Sequence, residues 1–167
     1  MPTIEELLAL DLLTLCEHTE RAGDKLDPEL HAAQLRQSLQ ISQVCAVRRQ
    51  RDLVAYAMLS PESESSGCWF VRAFNTHPQH RTSAVMLELF QAFAALVKRL
   101  GITELRSHVY KTNRLSMSFH RRLGFRVTKE NAKGVEFFAP VEEIASNRSI
   151  ERTGKRLRLL PAAHVER

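Results

Sequence analysis

The chain has 167 residues, 44% hydrophobic and 26% charged, with 6 Gly and 6 Pro, and its 24 Lys+Arg against 19 Asp+Glu leave a formal charge of +5. That composition belongs to a globular chain and excludes collagen, coiled coil and wholesale disorder. The longest apolar run, Leu53 to Leu59, is far shorter than the roughly 20 residues that cross a bilayer. The acidic start, Met1 to Glu6, lacks the basic region of a signal peptide, so the expected location is the cytoplasm, with no membrane partner. Cys16, Cys45 and Cys68 are odd in number and widely spaced, which fits neither a disulfide framework nor a metal knuckle, and they are read as reduced.

In chain order, a helix with a broad apolar face is expected from Thr3 to His18, with Thr3 and Glu6 placed as a capping box. Asp27 at the N-cap and Pro28 at the first helical position start a second helix that runs to about Gln40. Val44–Val47 and Leu53–Leu59 read as an antiparallel hairpin, and an acidic, Ser-rich loop, Ser60 to Gly67, leads to a third strand, Cys68–Phe74. The period then changes to helical from Ala84 to Leu100, closed by Gly101. Glu104 to Tyr110 alternates, with Leu105, Ser107 and Val109 on one face and Glu104, Arg106, His108 and Tyr110 on the other; strand, helix, strand predicts a right-handed parallel crossover. A short helix, Arg114–Leu123, closed by Gly124, precedes a last hairpin of Phe125–Val127 and Val135–Phe138. One unit is expected over 1–140, with a helical part to 42 and a core from 43, followed by a basic extension, 141–167, whose run from Arg148 to Arg158 reads as a solvated charged face or, less favoured, as an arm for nucleic acid or an acidic partner.

The stretch from Phe74 to Ala84 takes a strand through a Pro-containing turn into the N-terminus of the longest helix. Free N–H groups and the positive end of the helix dipole converge there, which favours an anion, and His80 and Arg81 add side-chain donors. Other chemistries lack their residues. There is no Gly-x-Ser-x-Gly elbow and no Gly-Lys-Ser/Thr phosphate loop. The spacing of His77, His80, His108 and His120 makes no ligand pattern, so no metal is expected.

His77-Pro78-x-x-Arg81 before a long amphipathic helix, then a strand, then Asn113-x-x-Ser116-x-x-Phe119-x-x-x-Leu123-Gly124-Phe125, resembles the GNAT superfamily of acyl-CoA-dependent N-acyltransferases over roughly residues 43–138. The resemblance implies an α/β fold: a mixed, mostly antiparallel, twisted sheet with helices on both faces and a central cleft where two strands splay, near Asn75 and Leu105 to Ser107. It implies acetyl-CoA or another acyl-CoA as cosubstrate and an amine as acceptor: a polyamine, aminosugar, antibiotic amine, protein Lys or N-terminal amine. Nucleic acid is not an expected partner, and oligomeric state is open.

The same resemblance implies site residues. Arg81 and the backbone of Thr82, Ser83, Ala84 and Val85 hold the coenzyme pyrophosphate, and a bulge near Phe74, Asn75 and Thr76 offers N–H to the thioester. Ala84 and Met86 stand at the family's glycine positions, and the larger Met86 is expected to turn away from the pyrophosphate. Asn113, Ser116 and Phe119 line the pantetheine arm, with Asn113 alternatively a helix cap and Phe119 alternatively core. His120 stands where the family often has a Tyr that protonates the leaving thiolate, a task an imidazolium also performs. Glu104 or His108 is the candidate base, with Glu62 and Glu64 less favoured. The direct attack of an amine needs positioning, an oxyanion donor and a base, and no covalent intermediate. The alternative is a GNAT-like module that binds acyl-CoA or a protein partner without turnover.

Overall fold

A computed structural model of the chain describes residues 1–63 and 67–147. Helix α1 spans Ile4–Arg21 and begins with the expected capping box, in which Thr3 Oγ1 accepts from Glu6 N–H while a Glu6 carboxylate oxygen accepts from Thr3 N–H. Helix α2, Pro28–Ile41, starts at Asp27, whose side chain accepts from the N–H groups of Glu29 and Leu30. The strands are β1 (Gln43–Arg49), β2 (Asp52–Pro61) and β3 (Cys68–Thr76), followed after a 3₁₀ turn at Pro78–His80 by α3 (Ser83–Arg99). Then come β4 (Glu104–Tyr110), α4 (Arg114–Arg122), β5 (Arg126–Glu130), β6 (Gly134–Pro140) and α5 (Val141–Ala145). Gly101 and Gly124 end α3 and α4 at φ of +63° and +94°, a left-handed turn that a Cβ disfavours.

The sheet order is β1-β2-β3-β4-β6-β5, antiparallel except for the β3–β4 pair. Both hairpins and the parallel crossover appear as the sequence predicts. Strand alternation sorts the helices. Tyr56 and Met58 of β2 pack with Leu7, Leu10 and Leu35 of α1 and α2. Their neighbours Ala55 and Ala57 pack with Val85 and Leu89 of α3 on the opposite face. On that second face, α4 and α5 add Met117 and Ile144 to a cluster with Leu105, Val109 and Phe137. The packed residues therefore run past Pro140, into the segment read as an extension. Glu64 and the run from Arg148 to Arg158 lie outside the described residues.

All three cysteines are free thiols, with Cys68 buried and Cys16 and Cys45 half-buried; burial pushes the Cys68 thiol up to about 11. Among the described residues, no helix is long and apolar enough to cross a membrane, and no group of three or more His, Cys, Asp or Glu is placed to hold a metal.

Candidate functional site

Strands β3 and β4 pair only from Cys68↔Glu104 to Val71↔Ser107. At the next residue β3 carries a bulge: Met58 faces Ala73 and Leu59 faces Val71, leaving Arg72 as the extra residue. A bulge bends its strand and adds twist, so the two strands part at Arg72 and His108. The bulge was expected near Phe74 to Thr76; it falls earlier because it coincides with the last parallel pair, which residue alternation does not reveal.

Beyond the bulge, β3 is still paired to β2. His77 N–H donates to Val54 O at 2.8 Å, and in an antiparallel ladder the bonded pairs alternate. Asn75 and Ala73 therefore turn their N–H groups toward β2, and Phe74 and Thr76 turn theirs into the gap beside β4. The Thr76 carbonyl faces the same way, since Arg81 Nη2 donates to it at 3.2 Å.

The gap opens into a cleft of about 390 Å³. Its walls include Phe74, Asn75, Thr76, Arg81, Asn113, Ser116, Phe119 and His120, together with His108. The phenylalanine wall is ordered by ring contacts, Phe119 lying 5.5 Å from Phe74 and 6.4 Å from Phe90. Asn113 caps α4, its Oδ1 accepting from Ser116 N–H at 3.0 Å, and also faces the cleft. The lining carries Arg72, Arg81, His18, His108 and His120, and no carboxylate among the described residues.

Several expected residues stand elsewhere. Thr82, Ser83, Ala84 and Val85 are not on the cleft wall. Thr82 N–H donates to His80 O at 2.7 Å, and Val85 N–H donates to Thr82 Oγ1 at 3.3 Å; a turn bond and the helix cap have consumed two of the four amides, leaving those of Ser83 and Ala84. Met86 does not turn away: it lines the cleft, with Thr76 Oγ1 donating to its Sδ at 3.3 Å. Glu104 shares a strand face with His108, but they are four positions apart, roughly 13 Å along β4, and it pairs with Cys68 and Pro140 away from the cleft. Glu62 is held by Arg106 at 3.5 Å, also outside the cleft.

His120 is buried, and burial lowers its pKa below the ordinary 6.5 although the Ser116 carbonyl opposes the shift. The ring rests as neutral imidazole at neutral pH, not as the imidazolium acid that its place in the motif suggests. Its Nδ1 lies 2.8 Å from Ser116 O and its Nε2 lies 3.0 Å from Ser107 Oγ.

Sequence reasoning gave no role to three contributors. Thr14, Leu15 and His18 of α1 line the cleft, so the first helix builds one wall. Asp11, in the same helix, is buried and accepts hydrogen bonds from Tyr56 Oη at 2.5 Å and Asn75 Nδ2 at 2.6 Å, with His31 Nε2 at 2.8 Å. The signal was an acid beside the Leu7 and Leu10 stripe. Ser107 is the third, and its signal was a serine in register with Leu105 and Val109.

The family model described as "Acetyltransferase (GNAT) family" matches residues 7–125, reaching back through α2 into α1. No curated protein matches the sequence. Among solved structures, the chain is similar to PaiA N-acetyltransferase from Thermoplasma acidophilum in complex with coenzyme A, at 14% identity and TM-score 0.64 over 82% of this chain and 92% of that one. It is similar to aminoglycoside 6'-acetyltransferase type Ii, at 14% identity and TM-score 0.63 over 83% and 89% of the two chains. A ribosomal-protein-alanine N-acetyltransferase from Brucella melitensis matches at 16% identity and TM-score 0.58 over 82% and 93%. At these identities the likeness is one of fold.

Proposed function

The chain belongs to the GNAT acetyltransferase family, and we propose that it transfers an acetyl or other acyl group from acyl-coenzyme A to a primary amine by direct attack. The observation that carries this reading is the wedge between β3 and β4. It joins two inward N–H groups, an arginine at the mouth, an aromatic wall and a hydroxyl–imidazole pair in one cleft free of carboxylates among its described lining residues. Such a lining suits a long anionic cosubstrate with an apolar arm, and coenzyme A occupies the neighbour from Thermoplasma acidophilum.

In this reading Arg81, with the N–H groups of Ser83 and Ala84, pairs with the pyrophosphate, which the dipole of α3 also favours. Phe119, Asn113 and Ser116 flank the pantetheine arm. The thioester carbonyl accepts from Phe74 N–H, a donor fixed by the sheet before reaction begins and therefore effective on the developing oxyanion. A primary amine arrives as ammonium, with a pKa near 10.4 for an alkylamine, and His108 takes its proton. His108 is preferred as base because Glu104 and Glu62 lie outside the cleft. The Thr14, Leu15 and His18 wall of α1 receives the acceptor.

A second reading, an acyl-CoA-binding or partner-binding module without turnover, is favoured by Met86, which occupies part of the cleft where the family pattern has a small residue. Calorimetric titration with acetyl-CoA and coenzyme A at two salt concentrations, followed by an amine panel, separates the two. Direct transfer predicts micromolar binding that weakens with salt and about tenfold in Arg81→Ala, the ratio that about 1.5 kcal/mol of charge-assisted hydrogen bonding supplies. Binding without acylation of any amine favours the acyl-CoA-binding module; no binding by the wild type ends the transfer reading and leaves only the partner-binding module.

A further inference from the structure

We infer that Ser107 and His120 form a single proton relay at the apex of the cleft, in which the Ser107 hydroxyl passes the proton of the attacking nitrogen to His120 Nε2 and then returns it to the departing thiolate. The inference rests on the acyl-transfer reading above.

Ser107 belongs to the last pair that β3 and β4 make, with Val71 opposite. It is 4% exposed and still lines the cleft. Leu105 and Val109 flank it on the same strand face, so its hydroxyl is the one side-chain polar atom that β4 turns that way. That oxygen meets His120 Nε2 at 3.0 Å.

The bond's direction follows from the other ring nitrogen. Nδ1 lies 2.8 Å from the Ser116 carbonyl, which only accepts, so Nδ1 carries the hydrogen. A neutral imidazole has one N–H. Nε2 is therefore a bare lone pair, and Ser107 donates to it. The ring is held by stacking on Phe137, 4.9 Å between centroids at 20°, and by Phe125 at 5.0 Å. Hydroxyl, imidazole and an orienting carbonyl in series are what prepare a base to act through a hydroxyl; here the hydroxyl opens onto the cleft and the base lies behind it.

The steps balance. After the acceptor's first proton has gone to His108, nitrogen attacks the thioester carbon, the C–N bond forms and charge moves to the oxygen facing Phe74 N–H. The cationic nitrogen gives its second proton to Ser107 Oγ as the Ser107 proton moves to Nε2. The C–S bond then breaks, and the thiolate takes a proton from Ser107 while Nε2 returns its own. The products are an amide, a free thiol and one proton, which His108 gives up to solvent, with Ser107, His120 and His108 all restored.

The test compares wild type, Ser107→Ala and Ser107→Thr for release of free thiol from acetyl-CoA with the amine that the wild type accepts, alongside histidine ¹⁵N NMR of the free protein. The relay predicts that Ser107→Ala lowers kcat by about 10²- to 10⁴-fold, the range of general acid–base contributions, leaves KM for acetyl-CoA nearly unchanged, and is largely rescued by Ser107→Thr. The spectrum at neutral pH should show His120 protonated at Nδ1 and bare at Nε2. Wild-type kcat in Ser107→Ala, a loss confined to KM, or a proton on Nε2 overturns the relay. An acetyl group found covalently on Ser107 overturns it in favour of a nucleophilic serine. If the wild type itself acylates no amine, the acyl-transfer reading fails first, and that control shows it before any variant is compared.

Discussion

Asn75 Nδ2 donates to Asp11 Oδ1 at 2.6 Å, tying the strand that borders the cleft to a carboxylate in the first helix, sixty-four residues away. The same carboxylate receives Tyr56 Oη from the sheet and faces His31 from α2. Four elements thus converge on one side chain that is 2% exposed, and the wall formed by Thr14, Leu15 and His18 inherits its position from that anchor. Tyr56 is correspondingly hard to ionise: burial raises its pKa well above the usual phenol range, and the neighbouring Asp11 adds to the shift.

Asp11→Ala tests the anchor. Alanine is the better helix former, so propensity alone predicts a more stable α1. The lost acceptor leaves the buried Tyr56 hydroxyl and the half-buried Asn75 amide without their partner, at a cost of about 1–3 kcal/mol for a buried donor left unpaired, and this is the larger effect. We expect a net loss of roughly 2 kcal/mol or more in urea denaturation, with Asp11→Asn losing less because its carbonyl still accepts. Stability equal to wild type in Asp11→Ala would remove the anchoring role.

Gly134 of β6 lies beneath the His108 ring, where an added Cβ would come within 2.5 Å of Cε1 and 2.7 Å of Nε2. The imidazole can move, whereas the Val109 carbonyl oxygen at 3.2 Å must give by a few tenths of an ångström, so Gly134→Ala should fold with a modest loss of stability while pushing the imidazole out of place. Misplacement of a reacting group by about 1 Å costs up to about 100-fold in rate. Acyl transfer should therefore fall while calorimetric acetyl-CoA binding stays as in wild type. Unchanged turnover would mean that His108 is not the base.

The lowered pKa of His120 links stability to pH. A histidine whose folded pKa lies below its unfolded 6.5 contributes fully above the unfolded value and loses that contribution as pH falls through the folded one, because the unfolded chain binds the proton first. Ser107, Ser116 and the rings of Phe119, Phe125 and Phe137 surround the imidazole, and none is charged. Wild type should lose more stability than His120→Gln when chemical denaturation is repeated from pH 8 down to pH 5. Parallel curves for the two proteins would contradict a buried neutral ring.

Much of the fold was legible in the residues because its signals are local. Thr3 with Glu6, Asp27 with Pro28, and Gly101 and Gly124 mark helix ends through bonds made within a few residues, and the change of period between Phe74 and Ala84 separates strand from helix. The arginine at the mouth and the phenylalanine wall were legible too, since a strand feeding a helix defines where an anion fits. Residues at the centre of the cleft were not. Whether Glu104 or His108 reaches it depends on where β3 leaves β4, and that is decided by the bulge at Arg72, a register event between two chain segments. Whether His120 is an acid or a base depends on burial beneath Phe137, which lowers its pKa, and on the carbonyl of Ser116, which assigns its one proton to Nδ1. Motif spacing thus identified a histidine and a site. Its protonation, its serine partner and the acid that anchors the first helix arise from contacts between distant segments, which local sequence order does not encode.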